Sequence, residues 1–147
     1  MVMRTDDQRR VLGEVVSAHL RSLQGQHLID VQSTDQHTVK PWFNGRLDVA
    51  PPVADLTAQG FTLLGGRLDY INAKPVAAIV YRRRVHIIHL FCAPAPGSSN
   101  RAATMESLQG YNVRRWSENG INLRAVSDIS ADELSEFGEK FEAALKQ

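Results

Sequence analysis

Between Gln8 and Leu23, apolar residues recur at Leu12, Val15, Val16, Leu20 and Leu23, with His19 on the same face. That i, i+3, i+4 spacing predicts an amphipathic helix over 7–24, started by Asp6 or Asp7 and stopped by Gly25. Leu28–Val31 follows as a short extended piece, and 32–60 reads as short helical and loop segments. There Pro41 holds Lys40 extended and suits the first position of a short helix ended by Gly45. Pro51-Pro52 begins a second helical stretch, Val53 to Ala58, stopped by Gly60.

From Phe61 the period changes. Phe61–Leu64, a break at Gly65-Gly66, and Arg67–Ile71 read as one kinked strand. Asn72–Pro75 is a turn, and Val76–Tyr81, apolar on both faces, is a central strand. Arg82–Arg84 forms a charged turn before the strand Val85–Cys92, completing a β meander over 61–92. Pro94, Pro96, Gly97, Ser98, Ser99 and Asn100 make 93–109 read as a mobile loop. Tyr111–Ser117 and Ile121–Ser127 flank Asn119-Gly120, so 110–128 reads as a β-hairpin. A final helix over 131–146 carries the stripe Leu134, Phe137, Phe141, Leu145. Its start is a capping box in which Ser130 takes the Glu133 amide and Glu133 reaches back, with Ile129 and Leu134 as the hydrophobic staple. The expected fold is one α+β domain spanning 1–147, an antiparallel β meander sheet of five to six strands covered by N-terminal and C-terminal helices. The simplest arrangement puts both helices on one face.

Composition narrows the class. With 147 residues, 43% hydrophobic and 22% charged, the chain can bury a core without a metal or disulfide. The net charge of +1 gives no bulk argument for a nucleic-acid partner. The single cysteine, Cys92, excludes a disulfide framework and a thiolate zinc site. The longest apolar stretch, Val85–Pro96, is broken by His86 and His89 and is far short of a membrane span. The first residues show no secretory signal, so the expectation is a cytosolic protein or a piece whose targeting segment lies outside the chain.

Candidate chemistry is sparse. His86 and His89 are three apart on a predicted strand and point to opposite faces, so they do not share a metal. His19 packs on its helix face, and His86 or His89 lines the sheet. No Gly-x-Ser-x-Gly, glycine-rich phosphate loop or paired carboxylates stand out, and Cys92 reads as a buried thiol. The expectation is no enzyme, no catalytic residues, no metal and no cofactor. Arg82-Arg83-Arg84 lie in one turn; Arg114, Arg115 and Arg124 lie on the second hairpin with Tyr111 and Trp116. Arginines among aromatics can bind single-stranded nucleic acid. At this net charge, solvated turns are favoured and no nucleic acid is expected.

The run His27–Val31 followed by Ser33-Thr34-Asp35-Gln36-His37-Thr38-Val39-Lys40-Pro41-Trp42-Phe43 resembles the region after the membrane span of bacterial transmembrane anti-sigma factors. The resemblance continues through Val15–Leu23, Gly60–Tyr70, Pro75–Arg83, Gly110–Val113, Trp116 and Ala125–Asp128. It implies the outer, sensory or regulatory domain of a membrane-anchored protein on the periplasmic face of the inner membrane. Such a domain transmits an envelope signal, or a regulatory protein's binding, to an extracytoplasmic-function sigma factor. The sigma factor is held by a cytoplasmic segment that this chain lacks. Ala73 stands where related sequences tend to carry Gly, which argues against a positive-φ turn there, and Arg84 likewise fills a position often given to Gly. Trp42 and Phe43 beside Pro41 either lock this segment onto the sheet or, with His37 and Lys40, form a recognition surface. His37, Lys40, Trp42, Phe43, Arg82, Arg83, Arg84 and Trp116 are the candidate partner-binding residues. A homodimer through the meander edge or the first helix is a further expectation. The alternative is a soluble ligand- or nucleic-acid-binding module with no catalytic activity.

Overall fold

The computed structural model describes residues 2–24, 29–32, 36–43, 46–47, 50–95, 97 and 99–146, with the side chains of 2–5, 32 and 36–38 outside that description. The elements run α1 (Val2–Gln24), β1 (Val31–Gln32), α2 (Gln36–Trp42), a 3-10 turn (Thr57–Gln59), β2 (Thr62–Ile71), β3 (Lys74–Arg83), β4 (His86–Pro94), β5 (Arg101–Leu108), β6 (Tyr111–Glu118), β7 (Ile121–Ser127) and α3 (Ala131–Leu145). The fold is α+β, as the sequence predicts. Six long antiparallel strands and the two-residue β1 form one sheet, ordered β1-β2-β3-β4-β7-β6-β5. Two meanders, β2-β3-β4 and β5-β6-β7, meet where β4 pairs with β7.

The helices cover opposite faces, contrary to the one-face expectation. Val15, Val16 and Ala18 of α1 pack with Ile71, Val76, Ala78, Phe91, Val113 and Val126. Leu134, Phe137 and Phe141 of α3 pack on the other side with Ala77, Ile79, Tyr81, Ile88, Leu90, Trp116 and Leu123. The reason lies in β3: apolar at consecutive positions, it needs cover on both sides. Full burial of side chains such as Phe137 and Phe141 contributes about 1.5–3 kcal/mol each.

Four local expectations change. Pro41 lies inside α2 near its end, and Lys40 is helical rather than extended. The short helix places Val39 and Phe43, four apart and both fully buried, against Gly66. A Cβ on Gly66 would stand 3.0 Å from the Phe43 ring, so that close approach needs glycine. The helix expected over Val53–Ala58 is only the 3-10 turn. Val53, Ala54 and Leu56 instead lie against the core, Tyr81 Oη donates to the Ala54 carbonyl at 2.7 Å, and Asp55 accepts from the Thr57 amide at 3.0 Å. The expected loop over 93–109 contains the edge strand β5. Ahead of β5, two described residues are tied to the β6–β7 turn: the Ala95 amide donates to the Gly120 carbonyl at 2.7 Å, and Asn100 Oδ1 accepts from the Asn119 amide at 2.9 Å. Finally, Ala73 does adopt positive φ, 61°, beside Asn72 at 57°, and Arg84 does so at 54°.

The kink expected at Gly65-Gly66 is a bulge between Leu63 and Gly65. β1 pairs there with Gly66 and Gly65, so the meander edge proposed for a second copy is occupied over those residues. Ser130 caps α3, its hydroxyl accepting from the Glu133 amide at 3.1 Å. The Glu133 carboxylate does not reach back as a capping box requires. It accepts from Arg83 Nε at 3.1 Å and Arg84 Nη2 at 2.7 Å, and the Arg83 contact foremost lowers its pKa.

Candidate functional site

Among the described residues, a cluster of buried polar side chains lies between α1 and the sheet. Residues His19 and Ser22 are three apart on α1 and face the sheet beside the apolar Val15, Val16 and Ala18. Arg67 on β2 and His89 on β4 rise from the strand faces beneath them, and all four side chains are buried. His19 Nδ1 and His89 Nδ1 are 2.7 Å apart, with rings nearly perpendicular. His89 Nε2 lies 3.2 Å from Ser22 Oγ, and Arg67 Nε donates to the same oxygen at 3.2 Å. Phe91 stacks on His89 and Tyr111 meets His19 edge-on. Arg67 also pairs with Asp69, which Arg21 of α1 approaches at 3.7 Å. Arg67 Nη2 is buried with no hydrogen-bond partner among the described residues.

One proton fits between the two Nδ1 atoms, one ring donating and the other accepting. Burial holds His19 down to about 4, with Asp128 pulling it up and Arg67 pulling it down. Burial, then His19 and Arg67, hold His89 well below its ordinary value. Both rings are therefore neutral near neutral pH. Two imidazoles sharing a zinc ion would place their nitrogens about 3.3 Å apart, so the 2.7 Å spacing matches a shared proton instead. The line Ser22–His89–His19 also has the distances of a nucleophile, base and orienting group. Ser22 and His89 are, however, 6% and 0% exposed, so a substrate has no approach to them in this state. What the arrangement can do is hold α1 on the sheet through neutral polar contacts that protonation weakens.

The expected site residues do not converge. Phe43 and Trp116 are core residues, 0% and 2% exposed, and cannot form a contact surface. Trp42 is half-buried against Phe43, with the Arg46 guanidinium 4.3 Å over its ring. Lys40 and Arg82 are exposed, and the side chain of His37 lies outside the described residues. Arg83 covers the Phe61 ring and, with Arg84, holds Glu133. The hairpin arginines divide between faces: Arg114 is buried against Trp116 and pairs with Glu142, whereas Arg115 and Arg124 oppose each other on the α1 side. His86 and His89 do point to opposite faces, His86 meeting Asp128 at 3.0 Å. Cys92 is buried, which raises its thiol pKa. The sequence placed His19 on the inner face of its helix; pairing it with His89, seventy positions away, required the tertiary fold.

Comparison with protein-family models, with curated proteins and with solved structures finds no match for this chain. No helix among the described residues is long and apolar enough to cross a membrane.

Proposed function

We propose that this chain is a non-catalytic regulatory domain, the outer domain of a membrane-anchored anti-sigma factor on the periplasmic face of the inner membrane. In this role α1 is the element through which an envelope signal or regulatory protein acts on the rest of the protein. The observation that carries the reading is the latch of His19, Ser22, Arg67 and His89. A polar seam lets a partner with different affinities for docked and released α1 shift the balance between them. Within the resemblance, α2 packs on Gly66 of β2 and β1 pairs with the same glycine.

In the native host, deleting the gene is expected to raise transcription from the promoters of one extracytoplasmic-function sigma factor. His89→Phe in the otherwise intact protein, which removes the latch, is expected to alter the response of those promoters to envelope stress. Unchanged transcription from every such promoter after deletion would contradict the proposal.

A further inference from the structure

Beside the N-terminal half of α1 lies a cleft of about 540 Å³. Val11, Leu47, Pro75 and Ala93 give it an accessible apolar lining over the buried Val76 and Phe91, and Arg46, Lys74 and Arg124 a basic one; no carboxylate among the described residues lines it. Its volume is in the range of small-molecule sites. Arg124 also lines an adjoining cleft of about 320 Å³, together with Arg101 and Arg115. Although the net charge is only +1, Arg46, Lys74, Arg101, Arg115 and Arg124 thus line two adjoining clefts.

Arg124 is the key residue. Across the sheet it is flanked by Phe91 on β4 and Arg115 on β6, each directly opposite. Like charges directly opposite in a sheet are destabilising. Glu106 is engaged by Arg115 at 3.8 Å, and the described residues give Arg124 no hydrogen bond or ion pair. Burial, then the charge of Arg115, lower the Arg124 pKa, with Glu106 opposing them. Glu14, whose carboxylate accepts from the Asn72 amide at 2.8 Å near the mouth, is taken by Arg10 at 2.9 Å. A half-buried, unpaired guanidinium beside an apolar wall matches a ligand that supplies both a carboxylate and an apolar body.

We propose that this cleft binds a small amphiphilic carboxylate, its apolar body against Val11, Leu47, Pro75 and Ala93 and its carboxylate on Arg124. The site stands apart from the regulatory reading: the same cleft on a protein with another role would take the same ligand.

The test is an amide NMR titration of the full chain with octanoate, octanol and octyltrimethylammonium. Octanoate is expected to shift Ile71, Val76, Ala93, Asn122 and Arg124 saturably, octanol to bind about tenfold more weakly, and the cation not to bind there. Arg124→Met should weaken octanoate about tenfold while leaving octanol unchanged. Lys74→Met, at an exposed position, should give a smaller loss in the same direction and serves if the first variant does not fold. Equal affinity for octanoate and octanol, saturable shifts elsewhere only, or no saturable shift overturns the proposal.

Discussion

Gly138, in the middle of α3, sits under the Arg114 guanidinium, and a Cβ there would meet its atoms at 2.2–2.4 Å. Helix propensity alone favours Gly138→Ala by about 1 kcal/mol. Arg114 cannot swing aside freely, because Trp116 stacks on it at 4.3 Å and Glu142 holds it at 3.1 Å. The expected net result is destabilisation by about 1–3 kcal/mol, read from the urea midpoint. A stabilised Gly138→Ala protein would show that Arg114 is not anchored. The same arginine shows where sequence reading stops. Arg114 and Arg115 are adjacent and look equivalent in the sequence, but strand alternation buries one under α3 and turns the other toward α1.

At the scale of elements, legibility followed local chemistry. Asn119-Gly120 was readable as a hairpin turn, and both residues have positive φ, 54° and 75°. Asn72-Ala73 has the same geometry without the glycine. Alanine in the left-handed region costs about 1–2 kcal/mol, and glycine gives back part of that relief through its greater unfolded-state freedom. Ala73→Gly is therefore expected to stabilise by up to about 1 kcal/mol, seen as a higher denaturation midpoint at unchanged slope. A lower midpoint would show that the turn is not strained. β5 escaped prediction because an edge strand with mostly exposed side chains carries no apolar alternation, and Pro94–Asn100 upstream favoured a loop. α2 was misplaced because the usual boundary rule for proline lost to the burial of Val39 and Phe43.

For the whole molecule, the one-face expectation fails because β3, apolar at consecutive positions, is covered on both sides; which helix takes which face is decided by tertiary packing. One consequence is that a polar seam, not only an apolar one, joins α1 to the sheet. His19 titrates at about 4 folded against about 6.5 unfolded, so its contribution is complete above about pH 6.5. That contribution is lost as pH falls toward about 4, amounting to about 3 kcal/mol, and His89 acts in the same direction. The charges around the pair are Arg67, Asp69, Arg21 and Asp128, and a second imidazolium would break the Nδ1–Nδ1 bond outright. Urea denaturation from about pH 7.5 to about pH 5 should show this fall, and His19→Leu/His89→Phe should flatten it. The latch itself is tested most directly by hydrogen exchange at about pH 7.5 and about pH 5, with rates normalised to the intrinsic rate at each pH. The account predicts that Val11–Leu23 loses protection at the lower pH while β3, β4 and β7 keep theirs; equal loss in α1 and the sheet, or none in α1, would contradict it.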